Sequence, residues 1–170
     1  MPLLVRKIDY PRWDHDVLSG PLMSDISADA ITDLKTKSNT LSVWYAASDD
    51  EVEEAVLAIV GTLTQLDAID LIPLEQSALQ AAGLELQEDT GRTWVKSMEK
   101  RHRNIVKLTY GSLGTIAGIV VDRIREYTEK DKRIRITVSE VRDILKKAIS
   151  EKRLDLNDLP DSIRKKITSQ

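Results

Sequence analysis

The chain has 170 residues, with 25 Lys and Arg against 28 Asp and Glu, two His and no Cys. The missing cysteines exclude disulfides, thiolate metal sites and cysteine nucleophiles. The formal charge of −3 hides a polarised chain, since residues 1–90 carry 5 Lys and Arg against 17 Asp and Glu while residues 91–170 carry 20 against 11.

Leu3–Ile8 reads as a first strand, broken by Tyr10-Pro11-Arg12-Trp13-Asp14. Ser19-Gly20-Pro21 extends that irregular stretch. Ser27 is an N-cap candidate for a short helix through Leu34. Thr40–Ala46, rich in β-branched and aromatic residues, reads as a strand. Ser48-Asp-Asp-Glu51 has capping-box spacing. The helix it opens places Val52, Val56, Ile59, Leu63 and Leu66 on one face.

Ala68–Leu74 reads as a strand, Glu75–Ala82 as a short helix closed by Gly83, and Leu84–Gln87 as another strand. From Trp94 to Tyr127, apolar residues recur at helical spacing. Trp94, Met98, Ile105, Leu108, Leu113, Ile116, Ile119, Val120, Ile124 and Tyr127 share one stripe, with Arg123 as a blemish. One helix over this span would be about 50 Å long. Gly111, Gly114 and Gly118 share its other side, which predicts a backbone passing close by. The alternative is a turn at Tyr110–Gly114 between two shorter helices.

Glu129–Lys132 reads as a solvated linker, and Arg133–Thr137 as a half-buried strand. Thr137-Val-Ser-Glu140 is a second capping box, opening a helix that buries Val141, Leu145 and Ala148. Pro160 opens a last helix through Ile167. Leu, Ile and Val must build the core with Trp13, Trp44 and Trp94, because Phe is absent.

The pattern predicts an α+β fold. A small mixed sheet packs against a long helix over about residues 92–128, followed by a basic helical C-terminal subdomain. Three sections result: acidic α/β over 1–89, the long helix over 90–129 in the same core, and a basic strand-helix-helix unit over 130–170. The N-terminus lacks an apolar run of signal-peptide length. The longest uncharged stretch, Leu108–Val121, is shorter than the roughly 20 residues a membrane helix needs. A cytoplasmic protein that avoids membranes is expected.

Few motifs carry chemistry. Arg12–Asp16 clusters two Asp with His15, in composition a divalent-metal site, but neighbouring residues do not converge, and a solvated structural loop is the reading preferred. His102 lies in the apolar stripe as a tuned acid or base, or as a hydrogen-bonded core residue. Asp155-Leu-Asn157 lacks the glycine and closing glutamate of a calcium loop. Asp33-Leu-Lys35 has a nuclease-like spacing on the wrong element. Gly111–Gly114 lacks a phosphate loop's Gly-Lys-Ser/Thr, and no Gly-x-Ser-x-Gly elbow exists. No cofactor is expected.

The charged groups are the binding candidates. Lys96, Lys100, Arg103 and Lys107, with Arg101 nearby, form a ridge for nucleic acid or an acidic partner. Lys146, Lys147, Lys152, Arg153, Arg164, Lys165 and Lys166 form a second group. Asp49, Asp50, Glu51, Glu53 and Glu54 suit a basic partner, although carboxylates also favour a helix N-terminus. The leading reading is a non-enzymatic interaction or regulatory protein, of adaptor, inhibitor or immunity type. A nucleic-acid binder using the basic half comes next, and a metal-dependent hydrolase or nuclease third. Self-association would cover an exposed part of the stripe. The charged halves could instead neutralise each other within one fold.

Overall fold

The structure, a computed structural model, describes residues 1–18 and 26–168, leaving the side chains of His15 and Leu18 aside. The expected break at Ser19–Pro21 and the role of the His15 imidazole lie outside the described residues.

The described strands form one antiparallel sheet. They are β1 (Leu3–Ile8), β2 (Leu41–Ala46), β3 (Ile69–Glu75), β4 (Glu85–Glu88), β5 (His102–Val106) and β6 (Arg135–Ile136). Their order is β4-β5-β2-β1-β3-β6. The expected mixed sheet is therefore corrected to an all-antiparallel one. The helices are α1 (Asp14–Leu18), α2 (Ala28–Asp33), α3 (Val52–Val60), α4 (Gln76–Ala81), α5 (Tyr110–Glu129), α6 (Val138–Ser150) and α7 (Asp161–Thr168).

Local signals set most of these boundaries. The Ser27 side chain accepts from Ala30 N and starts α2. Thr137 and Glu140 form the expected capping box of α6. Gly83, at φ 77°, follows α4 in a conformation that disfavours other residues. Ser48 makes no capping bond; a 3-10 turn over Asp49–Glu51 leads into α3 instead. There Glu51 Oε2 accepts from Ala47 N at 3.2 Å. α3 ends at Val60, with Gly61 as its C-cap, short of the expected Leu63 and Leu66.

Strand alternation sends side chains to two apolar clusters, one on each face. The first unites Leu3, Val5, Trp44, Ala46 and Leu71 with α3, α6 and α7. The second unites Leu4, Ile72, Leu74, Leu41 and Ile105 with the buried side of α5. Helices α6 and α7 thus bury Val141, Leu145, Ile163 and Ile167 in a cluster that the front strands share.

The long helix is present, but it starts at Tyr110. Lys96–Arg101 is a 3-10 turn, and His102–Val106 is strand β5. Met98 packs in the first cluster and Ile105 in the second, so members of the sequence stripe lie on opposite faces of the sheet. Pairing of β5 with β2 and β4 outweighed the helical spacing. Gly111, Gly114 and Gly118 all lie inside α5, neither in a turn nor under a close backbone. A Cβ on Gly114 or Gly118 would meet nothing within 4 Å. Arg123 earns its place in the stripe: its Nε donates to Pro73 O at 2.9 Å, and it lies over the Tyr127 ring.

The two charged halves interlock. Glu51 pairs with Arg101, Glu54 with Arg153, Asp70 with Arg135, Glu75 with Arg123, Glu85 with Lys107 and Glu88 with Arg103. Every one of these pairs joins the acidic first 90 residues to the basic remainder. No helix among the described residues is long and apolar enough to cross a membrane.

Candidate functional site

By alternation, the first face of the sheet continues from Val5 and Trp44 to Lys7, Ser42, His102 and Asn104. There the apolar cover ends and a cleft of about 1020 Å³ opens. Its walls come from the end of β1, the segment after α2, the start of β3, the loop after β4, and β6.

The cleft carries an excess of positive charge. Arg6, Lys7, Arg12, Lys35 and Lys37 all line it, and these are all the Lys and Arg residues of the first 90. Arg92 and Arg135 join them from the basic half, against Asp9, Asp33, Asp70 and Asp89. Three positive charges are left in excess. Arg12 is bound to Asp9 at 2.7 Å, which raises its pKa, and Arg135 lies 3.7 Å from Asp70. Among the described residues, Lys7, Lys35, Lys37 and Arg92 make no ion pair and are exposed.

Arg6 is the half-buried member. Its Nη1 donates to Ser42 O at 2.8 Å, while its Nε is buried without a partner. Burial pulls the guanidinium below its ordinary pKa, opposed by the nearby Asp33 carboxylate. Asp33 in turn accepts from Trp13 Nε1 at 2.8 Å and Asp9 N at 2.9 Å, tying this wall to the core.

Ser42 and His102 meet on the floor. The Ser42 hydroxyl and His102 Nε2 are hydrogen-bonded across β2 and β5. His102 Nδ1 is buried without a hydrogen bond, and Asp89 Oδ2 is the nearest charge at 3.9 Å. Asp89 is held by Asn104 Nδ2 and by Thr90 N, both at 2.8 Å. The Trp44 ring meets the imidazole edge-on at 5.2 Å. Burial lowers the His102 pKa, Asp89 raises it in part, and Arg103 lowers it further. Gly91 closes against this pair; a Cβ there would lie 2.4 Å from Trp44 Cη2 and 2.7 Å from His102 Cβ.

The residues expected from the sequence lie elsewhere, and they divide. Lys96, Arg101, Arg103 and Lys107 form no helical ridge; each holds a carboxylate, Glu99, Glu51, Glu88 and Glu85 respectively. Arg103 also lies over the Tyr45 ring. Arg153 binds Glu54, and Arg164 binds Asp161. Lys100, Lys146, Lys147, Lys152, Lys165 and Lys166 are exposed. Asp49, Asp50 and Glu53 are exposed around the start of α3, while Glu51 and Glu54 are engaged by arginines.

Asp16 is buried and accepts from Ser27 N and Oγ, so it caps structure rather than opening a site. Among the described residues, no group of three His, Asp or Glu is placed to hold a metal ion. Sequence reasoning missed the cleft. Its signal was the scarcity of cations in residues 1–90, where five charges against the local trend needed a reason.

The fold and the cleft define an α+β protein with a basic pocket at one end of its sheet. No family model, curated protein or solved structure matches the chain.

Proposed function

We propose that this protein binds a small phosphate-bearing molecule in the cleft. The observation that carries the reading is the gathering of every cation of an acidic half into one pocket. Four unpaired cations and a half-buried guanidinium whose Nε has no partner suit phosphate oxygens, since charge-assisted hydrogen bonds are about twice as strong as neutral ones. The volume of about 1020 Å³ suits a nucleotide-sized ligand. Four interspersed aspartates favour a compact ligand that also offers donors, and speak against a continuous nucleic-acid track.

Calorimetric titration with pyrophosphate tests this. Saturable binding is expected, weakening with salt and lost in Lys35→Glu/Lys37→Glu. Absence of binding, or equal binding in that variant, overturns the reading. Duplex DNA that binds with a steeper salt dependence than pyrophosphate would favour the nucleic-acid reading instead.

A second observation supports protein interaction. A groove of about 480 Å³ between α3 and α6 exposes parts of Val52, Val56, Ile136 and Ile144. Glu53 and Asp143 line it, and Glu54, Glu140 and Glu151 add three more acids against Lys147 and Arg153. An apolar floor under an acidic rim suits a cationic amphipathic helix. Fluorescence anisotropy with a Leu/Lys amphipathic peptide should show binding that Ile144→Asp removes and a Leu/Glu peptide fails to match. Equal binding by both peptides overturns it.

A further inference from the structure

The cleft floor holds three residues in the order of a nucleophilic relay: a serine, a histidine and an aspartate. We propose that Ser42 is a nucleophile, His102 its general base and Asp89 the residue that orients the imidazole, acting on a carboxylic ester that carries an anionic group. The anionic substrate class rests on the phosphate-binding reading of the cleft; the relay itself does not.

The placement of hydrogens assigns the roles of the two ring nitrogens. Nε2 faces the Ser42 hydroxyl. When the serine donates, Nε2 is the acceptor, and a neutral imidazole must then carry its hydrogen on Nδ1. That Nδ1 is buried and has no hydrogen-bond acceptor. A buried donor without a partner costs stability, so the arrangement needs a reason. Asp89 Oδ2, 3.9 Å away, is the group that can receive it. A movement of about 1 Å gives a hydrogen bond, in line with unliganded relays whose bonds tighten only around the substrate.

Asp89 is prepared for that movement. Its carboxylate is steered by Asn104 and by its own neighbour's backbone, yet about half of the side chain is still open to solvent. His102 is restrained by Trp44 and by Gly91, whose missing Cβ allows the close approach. Ser42 is exposed to the cleft, where a substrate can reach it. Lys7, exposed and unpaired on the same face, supplies positive charge for a developing oxyanion.

The chemistry balances without a further reactant except water. Ser42 Oγ attacks the ester carbonyl carbon as its proton passes to His102 Nε2. The carbon–oxygen bond to the alcohol breaks, and Nε2 returns that proton to the leaving alkoxide. Water then gives a proton to Nε2 and attacks the acyl-serine. The acid leaves, and Ser42 recovers the proton.

The test is covalent labelling of the full chain with diisopropyl fluorophosphate, read by intact mass and peptide mapping. One adduct on Ser42 is expected, none in Ser42→Ala, and a rate lowered about 100-fold or more in His102→Gln. The labelling rate should rise with pH and reach half its plateau below 6.5, because the buried imidazole loses its proton early. Asp89 is the charged group nearest it, Lys7 and Arg92 share its cleft, and Arg103 acts on it from the other sheet face; Asp89→Asn should slow labelling and shift this profile.

No adduct on Ser42, or labelling of His102→Gln at the full rate, overturns the proposal. A merely structural cross-strand bond would leave Ser42 inert. Pyrophosphate titration of Ser42→Ala separates the two readings. Binding without labelling in the parent protein removes the nucleophile and keeps the cleft. Labelling at Ser42 without pyrophosphate binding keeps the nucleophile and removes the anionic substrate.

Discussion

Arg101 Nη1 donates to Glu51 Oε2 at 2.6 Å, joining residues 50 apart in sequence. Glu51 opens the helix of an acidic half, and Arg101 ends a 3-10 turn of a basic one. This pair and its counterparts join the acidic and basic halves of a charge-segregated sequence at six places. Part of the charge asymmetry is thus taken up inside the fold. Outside these pairs lie the cations gathered in the cleft and the exposed lysines of α6 and α7.

The Glu51 carboxyl is held below its usual range, first by Arg101 and then by Ala47 N–H. Replacing Arg101 by Met should raise its pKa toward 4.5. A carboxyl-detected NMR titration reads the change. An unchanged value would mean that the pair does not persist in solution.

Gly91→Ala tests the packing under the cleft. The added methyl would overlap Trp44 and His102. Overpacking of this kind costs about 1–3 kcal/mol. Denaturant midpoints should fall, with altered Trp fluorescence and weakened pyrophosphate binding. Parent-like stability would show that the contact is not tight.

Gly114→Ala and Gly118→Ala should do the opposite. Neither glycine has a positive φ, and an added Cβ at either position meets nothing. Each change should stabilise α5 by about 0.8–1 kcal/mol, from backbone entropy and helix propensity. Thermal unfolding of the single and double variants checks both size and additivity. Destabilisation would indicate that this side of α5 is covered in solution.

Acid should loosen two helix ends. Glu140 accepts from the Thr137 hydroxyl and backbone and from Arg133, and its pKa falls to about 2. Glu126, held by Lys130 and Arg123, also falls to about 2. Both contributions are complete above the unfolded value near 4.5 and are lost as pH falls toward about 2. Urea midpoints should drop through that window, and Glu140→Gln should lessen the slope. A slope that Glu140→Gln leaves unchanged would assign the acid sensitivity to other groups.

Much of the architecture could be read ahead of the fold. β1, β2, β3, α2, α4 and α7 fall within a residue or two of their expected limits and α6 starts where its capping box predicts; for the helices this is because Ser27, Gly83, Thr137 and Pro160 act over three or four residues. Residues 94–106 could not be read this way. Their spacing fits a helix, but the strand gains its hydrogen bonds from β2 and β4, which lie far away in sequence. No periodicity within the segment records such partners.

The site divides in the same manner. His102 stood out as a titratable group in apolar surroundings, and the scarcity of cations before residue 91 was visible in the composition. Ser42, Asp89 and Gly91 carry no mark of their own. The amino-acid order alone determined the α+β class, the capped helices and the opposite charges of the two halves, since propensity, capping and charge are properties of neighbouring residues. Only the tertiary structure decided that His102 faces Ser42 and that five scattered cations share one pocket, because antiparallel pairing and strand alternation set which remote side chains emerge together on a face.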